Sequence, residues 1–100
     1  MKMRIGMVVR RMNNMKYIKC MSVNEYIEEC GCDCVDIGVE WVYVGVYDNG
    51  EDYEESSIVG WMFEDGMCMV IGCRMDFRCE FSVMLNSIQN EIDSIAKYYE

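Results

Sequence analysis

Residues 67–83, MCMVIGCRMDFRCEFSV, decide the fold: every odd position from Met67 through Met69, Ile71, Cys73, Met75, Phe77, Cys79 and Phe81 to Val83 is apolar. Successive side chains of an extended chain point to opposite faces, so this run offers one continuous apolar face to a core. Arg74, Asp76, Arg78, Glu80 and Ser82 fill the even positions with polar groups of alternating sign, as a solvated face requires. The run of 17 residues exceeds the usual strand of about 3 to 10, which predicts a bend or bulge near Gly72 or Asp76.

The segments on either side supply what such a strand must pack against. Toward the C-terminus, Leu85, Ile88, Ile92, Ile95, Ala96 and Tyr99 form one helical stripe, opposed by Asn86, Asn90, Asp93, Ser94 and Lys97, so the spacing predicts an amphipathic helix lying on a sheet. Toward the N-terminus, Ser57 to Phe63 reads as a neighbouring strand closed by the turn Glu64-Asp65-Gly66. Before it, Val35, Ile37, Val39, Trp41 and Tyr43 alternate against Asp36, Gly38 and Glu40, and Val42, Val44 and Val46 then make the other face apolar too. Burial on both faces predicts a central strand, which Asp48-Asn49-Gly50 ends with a hairpin dipeptide.

Ser22-Val23-Asn24-Glu25 has the form of a capping box, followed by Val23, Tyr26, Ile27 and Cys30 at helical spacing and by Gly31 as a left-handed stop. A short helix is expected there. Met3, Ile5, Met7 and Val9 alternate with Lys2, Arg4, Gly6 and Arg10 as a half-buried strand with a basic outer face; Asn13-Asn14 then turns the chain, and Met15 to Met21 returns. The expected fold is a single α+β domain over residues 1–100, a two-layer antiparallel sheet with both helices on one face in the order β-β-α-β-β-β-α. Within it, 1–21 form a basic hairpin and 22–100 an acidic body.

Composition excludes several chemistries. There is no Pro, His or Thr and only one Ala, one Gln and one Leu, against eleven Met and seven Cys. Pro, His, Thr, Ala and Gln are the residues whose codons all need a cytosine, so a cytosine-poor coding strand accounts for the bias, and abundance of Met or Cys carries no functional weight. Without His, the Ser-His-Asp and Cys-His mechanisms and His-bound zinc are excluded, and no enzymatic activity is expected. No apolar run approaches the roughly 18 residues of a membrane span, and the N-terminal apolar run is far too short for a secretion signal. The expected location is the cytoplasm, where seven unevenly spaced cysteines do not predict a disulfide framework.

Charge is divided along the chain. Residues 1–20 hold six bases and no acid, whereas residues 21–100 hold three bases (Arg74, Arg78, Lys97) and all eighteen acids, giving +6 and −15. Asp48, Glu51, Asp52, Glu54 and Glu55 crowd into eight residues around one turn, and Glu64 and Asp65 are expected beyond the same end of the sheet. These seven carboxylates are the candidate partner-binding residues. They lack the order of a calcium-binding loop, and a merely solvated, solubilising loop is the competing reading. Cys30, Cys32 and Cys34 offer three local sulfurs for a metal, but the usual zinc spacing is missing, and small apolar packing accounts for several of the cysteines; no cofactor is expected. Clustered bases at the N-terminus could grip phosphates, but the field of the remaining −15 opposes a polyanion, so direct nucleic-acid binding is not expected. Neither is a membrane partner.

The resulting expectation is a small acidic, non-enzymatic binding protein that meets a basic protein, such as a nucleic-acid-handling host factor, through its carboxylates. Acidic proteins of this size occur among virus-encoded inhibitors of host defence, including anti-restriction and anti-CRISPR proteins; the chain is similar to them in size and charge alone, with no shared motif. The alternatives are a homo-oligomeric assembly protein that pairs exposed strand edges and a cysteine-based metal or thiol module.

Overall fold

A computed structural model describes residues 15–31, 35–72 and 77–99. The elements are β1 (Met15–Ser22), α1 (Val23–Cys30), β2 (Val39–Asp48), β3 (Tyr53–Phe63), β4 (Cys68–Ile71), β5 (Phe77–Cys79) and α2 (Phe81–Tyr99). The five strands form one antiparallel sheet in the order β1-β2-β3-β4-β5. With its two helices, the sheet makes the α+β class that the alternation and the helical stripes predict. The first predicted strand, Met3 to Val9, and the Asn13-Asn14 turn lie outside the described residues.

The helix α2 packs on the sheet face formed by Tyr43 and Tyr47 of β2, Met62 of β3 and Cys68 and Val70 of β4, into which Met84, Ile88, Ile92 and Ala96 are buried. It lies close because two strand positions have no side chain. A Cβ on Gly45 would strike Ile92 and come within 2.7 Å of Ile88. A Cβ on Gly60 would strike Met84, coming within 2.6 Å of its Cγ. Glycine weakens a strand interior, and here that cost is offset by the helix reaching the backbone.

The capping box forms as read: the Glu25 amide donates to Ser22 Oγ at 3.2 Å and the Ser22 amide to Glu25 Oε1 at 2.9 Å. Hydrogen bonding to the Glu25 carboxylate, first from the Ser22 backbone amide and then from the Ser22 side chain, holds that carboxyl below its ordinary range. Gly31 ends α1 at φ +73°, its amide donating to the Ile27 carbonyl at 2.8 Å. Val23 and Tyr26 of α1 pack with Met21, Val42, Val44 and Trp61. Those residues project from the sheet face opposite α2, so the two helices lie on opposite faces rather than together on one. The reason is in β2: Val42, Val44 and Val46 are buried on one face and Gly45 and Tyr47 on the other, and a sheet apolar on both sides needs cover on both.

The run 67–83 does not form one bent strand. It divides into β4, β5 and the first turn of α2. β4 stops at Ile71; Gly72 follows at φ +103°, where a Cβ would collide with the Ser57 carbonyl oxygen, Asp76 lies outside the described residues, and Phe77–Cys79 pair beside β4 as β5. Phe81 and Val83 join α2, where Val83 and Met84 amides both donate to the Glu80 carbonyl at 3.1 Å. Phe81, Met84, Leu85 and Ile88 satisfy a helical period as well as Cys79, Phe81 and Val83 satisfy a strand one, and the longer stripe decides. Similarly, Ile37 is not in β2: it sits in the turn before it, 99% exposed.

Between Val44 and Val46 the register with β3 shifts from Val59 to Glu55. Ser56, Ser57 and Ile58 thus face the single residue Gly45, a bulge in which Ser56 Oγ accepts the Ile58 amide at 2.9 Å. Ser57 Oγ donates across to Glu91 of α2 at 3.0 Å.

Candidate functional site

The tip of the β2–β3 hairpin is built by its own side chains. The last cross-strand pair is Asp48 with Tyr53, leaving a four-residue loop in which Asn49-Gly50 forms the first half. Asn49 Oδ1 accepts the amides of Glu51 at 2.9 Å and Asp52 at 2.6 Å, and Asp48 Oδ1 accepts that of Gly50 at 2.9 Å. The Asn49 amide donates to the Asp52 carbonyl at 3.2 Å, and Gly50 takes φ +91°. Asn and Asp oxygens bonding the backbone two or three residues ahead make a preformed turn. Consequently Glu51, Asp52 and Glu54 project from a defined scaffold, all exposed.

The structure separates the predicted carboxylates into three groups. Glu55 is neutralised: Lys19 Nζ lies 2.9 Å from Glu55 Oε2 and 3.4 Å from Glu29 Oε1, linking β1, β3 and α1. This raises the Lys19 ammonium pKa, with the hydrogen bond to Glu55 as the main cause. Lys16 pairs instead with Asp93 of α2 at 3.4 Å. Among the described residues, no cation pairs with Asp48, Glu51, Asp52 or Glu54, which form the second group. Lys2, Arg4, Arg10 and Arg11 lie outside the described residues.

Glu64 and Asp65 are the third group, and they correct the expectation that they share an end with the first five. They turn the chain from β3 into β4, at the opposite end of an eleven-residue strand, roughly 35 Å away at about 3.3 Å per residue. There Asp65 Oδ1 accepts the Met67 amide at 2.9 Å, while Oδ2 lies 3.4 Å from Arg78 Nη2. The Arg78 guanidinium also lies 4.5 Å above the Phe63 ring. Ile37, Gly38, Phe63, Glu64, Asp65 and Arg78 line a shallow recess of about 300 Å³ at this end.

Four tyrosines that sequence reasoning did not join to the site stand beside the first two groups. Tyr99 stacks on Tyr47 with ring centroids 5.6 Å apart, and Tyr98 meets Tyr99 edge-on at 5.4 Å. The Tyr99 phenol is pushed above its ordinary pKa by desolvation and then by the negative charge of Glu54 and Asp52. Tyr53 hydroxyl donates to Glu55 Oε2 at 3.3 Å. Tyr98 is 85% exposed. Only the 3.6-residue stripe that includes Tyr99 hints at this arrangement; α2 runs in the same direction as β2, from Phe81 against Tyr43 to Tyr99 against Tyr47, and this brings the C-terminal end of the helix to the hairpin tip.

Of the cysteine candidates, Cys30 is exposed at the end of α1 with a free thiol, and Cys32 and Cys34 lie outside the described residues. Among the described residues no cluster of three or more Cys, Asp or Glu has the geometry to hold a metal ion, and no helix is long and apolar enough to cross a membrane. The chain matches no protein-family model, no curated protein and no solved structure.

Proposed function

We propose that the protein is a non-enzymatic binding module that presents the β2–β3 hairpin tip to a basic protein surface. The observation that supports this most is the pairing pattern: Lys16 and Lys19 are used against Asp93 and Glu55, and Glu51, Asp52 and Glu54 stay exposed on a turn fixed by Asn49 and Asp48. Tyr98 and Tyr99 add exposed ring area beside those carboxylates. Carboxylates next to tyrosine rings suit arginine, which pairs with the former and stacks on the latter. Clustered unpaired charge quickens encounter with an oppositely charged surface and loses its effect as salt shortens the screening length to about 8 Å at physiological ionic strength. A Lys/Arg-lined channel of a nucleic-acid-handling protein is the target chemistry this surface fits, with the carboxylates in the place of phosphates; occupying it would inhibit the host protein.

The test is capture from a host lysate by the immobilised protein and by its Glu51→Gln, Asp52→Asn, Glu54→Gln variant. A basic protein retained at low salt, released at high salt and not retained by the variant supports the reading. Equal retention by the variant, or no basic protein at low salt, overturns it.

A further inference from the structure

Cys68 and Cys79 stand directly opposite one another in the antiparallel β4–β5 ladder. Opposed residues of such a ladder have Cα atoms about 4.5 or 5.5 Å apart, depending on whether the pair is hydrogen-bonded, and their side chains share a face. Both spacings fall inside the roughly 4.4 to 6.8 Å window in which a disulfide closes without moving backbone. The two sulfurs also belong to one core cluster, beneath α2. Their accessibilities differ: Cys68 is fully enclosed, while Cys79 keeps part of its surface in solvent. Both are free thiols in this structure.

We propose that Cys68 and Cys79 form a reactive cross-strand dithiol that a low-molecular-weight disulfide converts into an intramolecular disulfide joining β4 to β5. The accessible sulfur reacts first. Cys79 loses its proton and attacks one sulfur of the external disulfide; that S–S bond breaks, a mixed disulfide forms on Cys79, and the first small thiolate leaves and takes up a proton. Cys68 then loses its proton and attacks the Cys79 sulfur, forming the protein disulfide and expelling the second small thiol. The two cysteines are oxidised by two electrons in total, and the external disulfide is reduced to two thiols. Enclosure of Cys68 guards the second step, since no other small molecule reaches that sulfur, and its position opposite Cys79 makes the intramolecular attack the fast one.

Burial raises the pKa of both thiols, with the charge of Cys79 as a further cause at Cys68, so the exchange quickens as pH rises toward the thiol range. Closing the bond also fixes β5 to β4, and with it Arg78, which holds Asp65 and Phe63 at the second turn. The dithiol therefore joins the redox state of the medium to the geometry of one end of the sheet.

The experiment is incubation of the full-length protein with oxidised glutathione, followed by quenching with an alkylating agent, proteolysis and mass mapping. The expected product is a peptide pair joined through Cys68 and Cys79, lighter by two hydrogens than the reduced pair. A glutathione adduct on Cys79 should precede it. In Cys68→Ala that adduct should accumulate instead of resolving, and mapping of the unaltered chain decides the matter even where this variant folds poorly. A stable glutathione adduct on Cys79 of the unaltered chain, a disulfide joining either cysteine to Cys20 or Cys30, or both thiols recovered unreacted would each overturn the proposal.

Discussion

The two turns that bound β3 have nearly the same chemistry in sequence and opposite fates in the fold. Asp48-Asn49-Gly50-Glu51-Asp52 and Glu64-Asp65-Gly66 are both acidic and both glycine-bearing, yet at the second Arg78 binds Asp65 and covers Phe63, whereas no described cation reaches Glu51, Asp52 or Glu54. The difference comes from what folds back. β5 pairs beside β4 and carries a base to the second turn. At the first, the neighbouring elements are β1, whose lysines are already paired, and the end of α2, which brings tyrosines. Acidity in a sequence is thus a count, and display of that acidity is a property of the strand order.

The largest expected effect removes the scaffold common to both turns. Ile88 is fully buried and would touch side chains at both Gly45 and Gly60, so Ile88→Ala should cost about 2 to 5 kcal/mol in chemical denaturation and erase the contrast between the ends. A cost below that range would mean that α2 is not what holds the sheet. Next, Asn49→Ala removes the oxygen that fixes the Glu51 and Asp52 amides and should cost about 0.5 to 1.5 kcal/mol, with faster amide exchange confined to residues 50–52. Unchanged exchange there would remove the claim of a preformed tip.

Smaller still is Arg78→Gln, which should change stability by only about 0.2 to 1 kcal/mol while turning the second end into an open acidic turn like the first. Between the ends lies Tyr43, whose phenol pKa is pushed up to about 12 by burial and by the neighbouring Cys20 thiol. A pKa raised by folding contributes stability that is complete below the ordinary phenol value of about 10 and lost as pH climbs toward 12. Denaturation midpoints should therefore fall across that window, less steeply in Tyr43→Phe, with no effect at neutral pH. Equal slopes for the two proteins would contradict the assignment.

Much of this fold is readable in the chain where one period has no rival. The Ser22 to Gly31 helix follows its caps residue by residue, and the stripe from Leu85 to Tyr99 lies on the sheet as its spacing requires. Legibility fails where two periods coincide, as at Phe81 and Val83, and where a glycine breaks an alternation that apolar residues continue, as at Gly72. The side taken by α1 was hidden for another reason: a two-face apolar strand announces that both faces are covered, without saying by what. The site was half legible. Local density picks out Asp48 to Glu55, but the ion pairs that remove Glu55 and Asp65 and the arrival of Tyr98 and Tyr99 depend on strand register and helix direction, which no local pattern encodes.

The central claim is that the β2–β3 tip displays negative charge that the other described residues do not cancel. Paramagnetic relaxation of backbone amides by a cationic and an anionic nitroxide tests it on the full-length protein, since each probe accumulates where the surface potential attracts it. The account predicts a cation-to-anion relaxation ratio at residues 50–54 well above that at residues 64–67. Equal ratios at the two turns, or a lower ratio at 50–54, would contradict it.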